Sequence, residues 1–210
     1  MRDADVHYFV FTDADHIYAE KRADVCKVFQ RQLGWPYDTL RRFDMFLSIE
    51  SNLKEYDYLY FFNSNLIIKK RITKEEFLPT PKEKLVFTKH PGFYAKTNAE
   101  FTYERNPESR AYIPKGEGKV YVAGGLNGGE TKAFLDMAKE LQKRIAEDEK
   151  KGIIAIYHDE SQINRYVYEL EEYKLLHPGY LYPEGWNIPF PMIGFLIAKG
   201  KYINVDKIKK

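Results

Sequence analysis

Between Lys119 and Ser161 the sequence changes character in an order that few folds accept. Lys119 to Ala123 reads as a strand and runs straight into Gly124-Gly125-Leu126-Asn127-Gly128-Gly129. Phe134, Met137, Ala138, Leu141 and Ile145 then recur at helical spacing, and the helix they predict ends at Gly152. Ile153 to Tyr157 predicts a second, buried strand, with His158-Asp159-Glu160-Ser161 at its carboxyl end. Strand, helix, strand is a βαβ pattern, which sets the two strands parallel and puts their polar ends on one edge of a sheet. The fold class is therefore α/β. The glycine cluster fails as a phosphate loop because no Lys-Ser or Lys-Thr closes it, yet paired glycines let a ligand or another backbone approach closely. The two carboxylates of the acidic turn either serve chemistry or cap the helix that starts near Ser161.

Tyr56 to Lys69 holds a similar switch. Its aromatic run breaks at Asn63-Ser64-Asn65 and resumes at Leu66, which reads as a buried strand delivering two amides to the sheet edge where ligands bind. Plain turn chemistry also explains the triplet, since asparagine tolerates left-handed backbone. Val6 to Phe11 is a strand ending in Thr12-Asp13-Ala14-Asp15, and Val25 to Gln30 is a short strand. Beyond Gly34-Trp35-Pro36, Asp38 or Thr39 is a natural N-cap for a helix carrying Leu40, Phe43, Phe46 or Leu47, Ile49 and Leu53. Arg41 and Arg42 fall in its opening turns, where the helix dipole does not favour cations; a binding role explains them, as does simple solvation. Leu85 to Thr88 is a strand leading into His90-Pro91-Gly92-Phe93-Tyr94, and residues 95–118 form a long irregular segment. After Tyr173 to Leu176 comes an aromatic loop, His177 to Trp186, then a last strand, Ile193 to Ala198, and Lys199-Gly200-Lys201.

Composition narrows the classes. A chain of 210 residues suits one core, so a single domain over residues 1–210 is expected. Lys plus Arg number 33 against 31 for Asp plus Glu, a balance that gives no ground for a nucleic-acid partner. The single cysteine, Cys26, excludes an internal disulfide framework, and His7, His16, His90, His158 and His177 lack ligand spacing. No apolar run approaches the ~20 residues of a membrane helix. With no signal-like start either, a soluble cytoplasmic protein is the expectation. Aromatic residues make up 16% of the chain, enough for rings to line a ligand site as well as the core.

His90-Pro91-Gly92-Phe93-Tyr94, Phe101-Thr102-Tyr103-Glu104-Arg105, Ala111-Tyr112-Ile113-Pro114, the paired glycines at 124–125 and 128–129, and His158-Asp159-Glu160-Ser161 with Asn164 and Tyr166 occur in this order. Together they resemble glycosyltransferase family 6, over nearly the whole chain from Val6 to Lys201. The resemblance implies a GT-A fold, a mixed sheet flanked by helices. It implies transfer of galactose or N-acetylgalactosamine from a UDP-sugar to an acceptor galactose in α1,3 linkage, with retention at the anomeric carbon. Family members begin with a further strand that holds the uracil and ribose, and this sequence starts without it, so an exposed apolar edge and weaker donor binding are expected.

Residue by residue, Glu160 matches the glutamate beneath the anomeric carbon, Asp159 a donor-sugar carboxylate and Arg42 the donor-binding arginine. Ala123 and Gly125 match the donor-selecting pair, with Gly124 between them, and their small size favours N-acetylgalactosamine. Lys199 matches a diphosphate-binding lysine, with Lys201 in reserve. His90, Thr102, Tyr157 and Trp186 face the acceptor; Tyr157 stands where many members have Trp, and Pro183 where mammalian ones have Asp. Asn63 and Asn65 replace a metal-binding Asp-x-Asp, which implies no divalent metal and no other cofactor, the UDP-sugar being a substrate. The replacement is coherent. At about 4 Å and without a bridging cation, a carboxylate and a phosphate charge repel by roughly 1 to 4 kcal/mol. The same residues admit a second reading, a non-catalytic carbohydrate-binding relative. A nucleic-acid binder using the Lys and Tyr content is a weaker third.

Overall fold

The computed structural model describes residues 4–201. In chain order its elements are β1 (Tyr8–Thr12), β2 (Val25–Phe29), α1 (Tyr37–Leu40), α2 (Arg42–Ser48), α3 (Glu50–Leu53), β3 (Tyr58–Phe62), β4 (Leu66–Ile68), α4 (Lys74–Phe77) and β5 (Leu85–Lys89). They continue with β6 (Val122–Glu130), α5 (Thr131–Lys150), α6 (His158–Glu169), β7 (Lys174–Leu176), β8 (Tyr182–Pro183) and β9 (Gly194–Leu196). The strands form three small sheets, β1-β2, β3-β6-β5-β7 and β4-β9-β8, and helices flank them in the mixed α/β layout of a GT-A-like fold.

The helix anticipated from apolar spacing is α5. Its buried stripe of Phe134, Leu135, Met137, Ala138, Leu141 and Ile145 meets Phe43 and Phe46 of α2 in the main core, with the Phe46 and Phe134 rings 5.7 Å apart. Each of the larger side chains contributes about 1.5 to 3 kcal/mol when fully buried. α6 closes the same core through Ile163 and Val167.

Four expectations change. The glycine cluster is not a loop after a strand but the interior of β6, which runs antiparallel to both β3 and β5. Glycine is needed there because the neighbouring backbones come too close for a side chain. A Cβ at Gly128 would lie 2.4 Å from the Leu59 carbonyl oxygen, and one at Gly129, at φ +145°, would lie 2.2 Å from that of Lys84. Gly128→Ala is therefore expected to destabilise the chain by about 3 kcal/mol, the upper end of overpacking costs, read as a lower urea midpoint. An unfolding free energy within about 0.5 kcal/mol of the parent, about the scatter of neutral surface changes, would show that β3 can retreat.

Ile153 to Tyr157 is not a strand, so no βαβ unit forms. Gly152 adopts φ +71° and the Ile153 N–H turns back to the Asp148 carbonyl, closing α5. Ile156 is 58% exposed and its N–H is taken by the Glu104 carboxylate, leaving nothing for a ladder. At Val122, α6 is joined to β6 by Asn164, whose side chain accepts from the Val122 N–H and donates to the Val122 carbonyl, both at 2.9 Å. One amide thus does for β6 what a neighbouring strand would.

The helix after Pro36 is three short pieces. α1 begins at Tyr37 rather than after Asp38 or Thr39, and the Asp38 carboxylate binds the Leu33 N–H instead of capping. Breaks at Arg41 and Ile49 let Arg42 turn inward, where it is buried. β3 lies at the edge of its sheet with only Leu59 buried, so the strand before Asn63 is less enclosed than its sequence suggested. β1 and β2 pair in parallel, packing Phe9 against Tyr56 and Phe11 against Phe46 on the core while Tyr8 and Phe29 are exposed. Among the described residues, no helix is long and apolar enough to cross a membrane.

Candidate active site

β6 departs from regular pairing where the glycines begin. Thr88 of β5 pairs with Ala123, but the next β5 residue, Phe87, pairs with Asn127, so 124 to 126 have no β5 partner. The bulge turns Gly124 toward α6 and Gly125 toward β3. Its carbonyl at Gly124 accepts from Arg42 Nη1 at 2.6 Å and from Asn127 Nδ2 at 3.1 Å. Its N–H donates to Glu160 Oε2 at 2.8 Å. A Cβ on Gly124 would lie 3.1 Å from Asp159 Oδ2, and one on Gly125 would lie 2.9 Å from Asn63 Nδ2. Arg42, Asn63, Gly124, Gly125, Asp159 and Glu160 therefore meet around one backbone bulge.

The carboxylates reach it through a strained turn. His158 has φ +51°, left-handed for a β-substituted residue, and its ring packs edge-on against Trp35 at 4.5 Å between centroids. That kink starts α6 with Asp159 and Glu160 in its first turn, where the helix dipole favours negative charge. Burial opposes the dipole. It raises Glu160 to about 7, helped by the neighbouring Asp159 and resisted by the Gly124 N–H. Burial likewise pushes Asp159 above the usual carboxylate range, against the pull of Arg42, whose Nη2 lies 2.5 Å from Asp159 Oδ2. The Arg42 guanidinium also covers the Phe61 ring at 4.2 Å. Both its terminal nitrogens are thus engaged by the protein.

Tyr121 is the residue that sequence reading missed. It is 1% exposed, and its hydroxyl lies beside Glu160 and Thr102. Burial, reinforced by the Glu160 charge, holds that hydroxyl protonated and well above an ordinary tyrosine, so it faces Glu160 as a donor. Its ring packs on Phe93 at 4.3 Å, on Tyr103 at 5.4 Å and on His90 at 5.7 Å, which ties the carboxylate to the His90 corner. The tyrosine before Val122 in a run of apolar residues carried no signal of this beyond its hydroxyl.

His90 and Trp186 converge on Gly92, where a Cβ would lie 3.1 Å from the imidazole and 3.5 Å from the indole. Burial lowers His90 to about 4, so it stays neutral, with Nδ1 accepting from the Gly92 N–H at 3.0 Å. Tyr157 is half-exposed just ahead of the acidic turn. Ala123 is buried under Thr88.

The two asparagines part ways. Asn63 stays at Gly125, its N–H donating to the Gly125 carbonyl at 2.9 Å. Asn65 instead holds the end of β9, donating through Nδ2 to the Ile197 carbonyl at 2.7 Å while its backbone carbonyl accepts the Ile197 N–H at 2.9 Å. Lys199 follows two residues later and is exposed, without contact to the carboxylates. The Lys201 side chain lies outside the described residues. As for a metal, amides at 63 and 65 carry no charge, and no group of three His, Cys, Asp or Glu side chains gathers among the described residues. That donor set does not fit a hard divalent cation.

Comparison with known proteins bears on this geometry. The family model for glycosyltransferase family 6 matches residues 1–204. The O-antigen biosynthesis glycosyltransferase WbnI of Escherichia coli is 33% identical over 180 residues, covering 86% of this chain and 75% of that protein. The globoside alpha-1,3-N-acetylgalactosaminyltransferase 1 of Gallus gallus is 30% identical over 99% of this chain, and the match spans 60% of its own length. The histo-blood group ABO system transferase 1 of Rattus norvegicus is 40% identical over 57% of this chain, which is 33% of that protein. The match over residues 1–204 takes in the β6 bulge, the acidic turn of α6 and the asparagine turn alike, and the chain belongs to glycosyltransferase family 6.

Proposed function

We propose that the chain transfers N-acetylgalactosamine, or galactose, from a UDP-sugar to a galactose-terminated glycan in α1,3 linkage, with retention and without a divalent metal. The observation that carries this reading is Glu160. It is a half-buried carboxylate in the first turn of a helix, 2.8 Å from the Gly124 N–H and beside the Arg42–Asp159 pair. A carboxylate so placed stabilises oxocarbenium character at the anomeric carbon or forms a glycosyl-enzyme, and both are compatible with retention. As the bond from C1 to the UDP oxygen breaks, negative charge grows on the diphosphate, and Lys199 supplies the compensating cation. Asn65 serves this step indirectly by fixing the strand end from which Lys199 leaves. Asp159, held by Arg42, accepts hydrogen bonds from hydroxyls of the donor sugar.

The preference for N-acetylgalactosamine rests on the small side chains at 123 and 125. Gly125 has an additional reason to be glycine, since Asn63 fills the space beside it. The acceptor galactose lies along His90, Thr102, Tyr157 and Trp186.

The test is incubation with UDP-N-acetylgalactosamine or UDP-galactose and plain or fucosylated lactose, with and without EDTA. Transfer is expected to be undiminished by EDTA. Activity abolished by the chelator and restored by manganese would refute the metal-free reading. Glycan binding without UDP binding, seen by calorimetry, would replace a transferase with a carbohydrate-binding relative.

A further inference from the structure

The structure repeats one motif at two neighbouring strand ends. β5 and β7 run parallel, with Val86 beside Lys174 and Thr88 beside Leu176. Each is followed by His-Pro-Gly and a short 3-10 turn, at Pro91–Phe93 and at Pro178–Leu181. In each, the histidine Nδ1 accepts the glycine N–H, at 3.0 Å for His90 and 3.1 Å for His177. An Nδ1 that accepts carries no proton, so the neutral ring is protonated on Nε2 and offers a donor there. His90 spends its ring against Phe93 and Tyr121. His177 lines an open cavity of about 330 Å³, in the range of small-molecule sites.

Lys89, Tyr94, Leu175, Pro178 and Phe190 complete most of the wall. None of these is among the donor or acceptor candidates. Phe190 forms an aromatic platform, with Tyr94 edge-on at 5.0 Å, His177 at 5.2 Å and Tyr182 at 5.8 Å. Lys89 makes no ion pair among the described residues, and no carboxylate lines the cavity. Its charge is felt by His177, which burial and Lys89 together hold below the usual imidazole range. A cation without a counter-charge, a neutral N–H donor and a ring platform suit a ligand with an apolar C–H face and one negative group. The cavity adjoins the acceptor corner, since Lys89 precedes His90 and Tyr94 follows Phe93.

We propose that this cavity is a second subsite for the acceptor glycan and takes a carboxylate-bearing sugar. Lys89 pairs the carboxylate, His177 donates through Nε2 and Phe190 stacks on the ring. The proposal rests on the acceptor side assigned above, but binding tests it without turnover. Calorimetry with methyl β-glucuronide, methyl β-glucoside and inorganic phosphate is run on the parent chain, Lys89→Met and Glu160→Gln. The glucuronide is expected to bind at least about tenfold tighter than the glucoside, a difference of about 1.4 kcal/mol. Lys89→Met, with an unchanged melting temperature, erases the difference, and Glu160→Gln preserves it. Equal affinities, no binding of either sugar, or a preference that survives Lys89→Met would overturn the subsite. Phosphate binding as tightly as the glucuronide would make this a free-anion site and overturn the sugar assignment. A chain that transfers to neutral acceptors but shows no glucuronide preference loses the subsite and keeps its transferase reading.

Discussion

Glu160→Gln is expected to lower turnover at saturating substrates by at least about a hundredfold, the loss that follows removal of a positioned catalytic carboxylate. The amide keeps the size of the side chain and can still accept the Gly124 N–H, so the β6 bulge survives and UDP affinity stays within about twofold. The pH profile separates a chemical role from a structural one. In the proposed mechanism Glu160 is ionised to support positive charge at the anomeric carbon, and its folded value is about 7. Turnover therefore rises through that region and flattens above it, and any residual activity of the glutamine variant lacks this limb. Stability runs the other way. Because the folded value lies above the ordinary glutamate value of 4.5, the native state holds this proton more tightly between the two values. The contribution is fully present below 4.5 and is lost as pH rises through about 7. Thermal melting across that window should fall less steeply with pH in Glu160→Gln than in the parent. Full turnover in the variant, or an unaltered pH limb, would remove Glu160 from the chemistry.

The parts of this site that were legible in the sequence are those whose residue types have few other uses. The amphipathic stripe of α5 required a long helix, and it is there from Thr131 to Lys150. Glycines at 124 and 125 announced a close approach, and the approaching groups are Glu160, Asp159 and Asn63. The connection between these groups was not legible. Ile153, Ile154 and Ile156 look like a strand because β-branched residues favour one, but propensity carries no information about whether a partner is available. No strand pairs with them; Asn164 occupies the place on Val122 where one would bond. Side-chain mimicry of a strand leaves no periodic trace. The same limit hid Tyr121 and the role of Asn65, since both act through a partner more than 30 residues away. The asparagines at 63 and 65, expected to act together, also separate, one amide at the bulge and one on the backbone leading to Lys199.

The Arg42–Asp159 pair is the other place where a single change should be large. With side chains 10% and 5% exposed, both charges are largely out of water, and each depends on the other. Arg42→Met fills the volume and retains packing on Phe61, yet leaves the Asp159 carboxylate buried without its cation. The expected loss is about 3 to 5 kcal/mol. For a chain of this size that lowers the melting temperature by about 6 to 20 °C. The penalty should shrink as pH falls, because Asp159 already sits above its usual value and takes up a proton more readily once Arg42 is gone. Removing the second charge discriminates between two roles of the pair. Arg42→Met combined with Asp159→Asn leaves no uncompensated charge and is expected to recover about half or more of the lost stability. If the pair exists to present a carboxylate to the donor sugar, transfer stays low in the stable double variant. Recovered stability with recovered transfer would make the pair a structural clamp on α2 and α6, and the donor sugar would have to be held by other residues. A single Arg42→Met as stable as the parent would instead mean that solvent reaches Asp159, contrary to its burial in this fold.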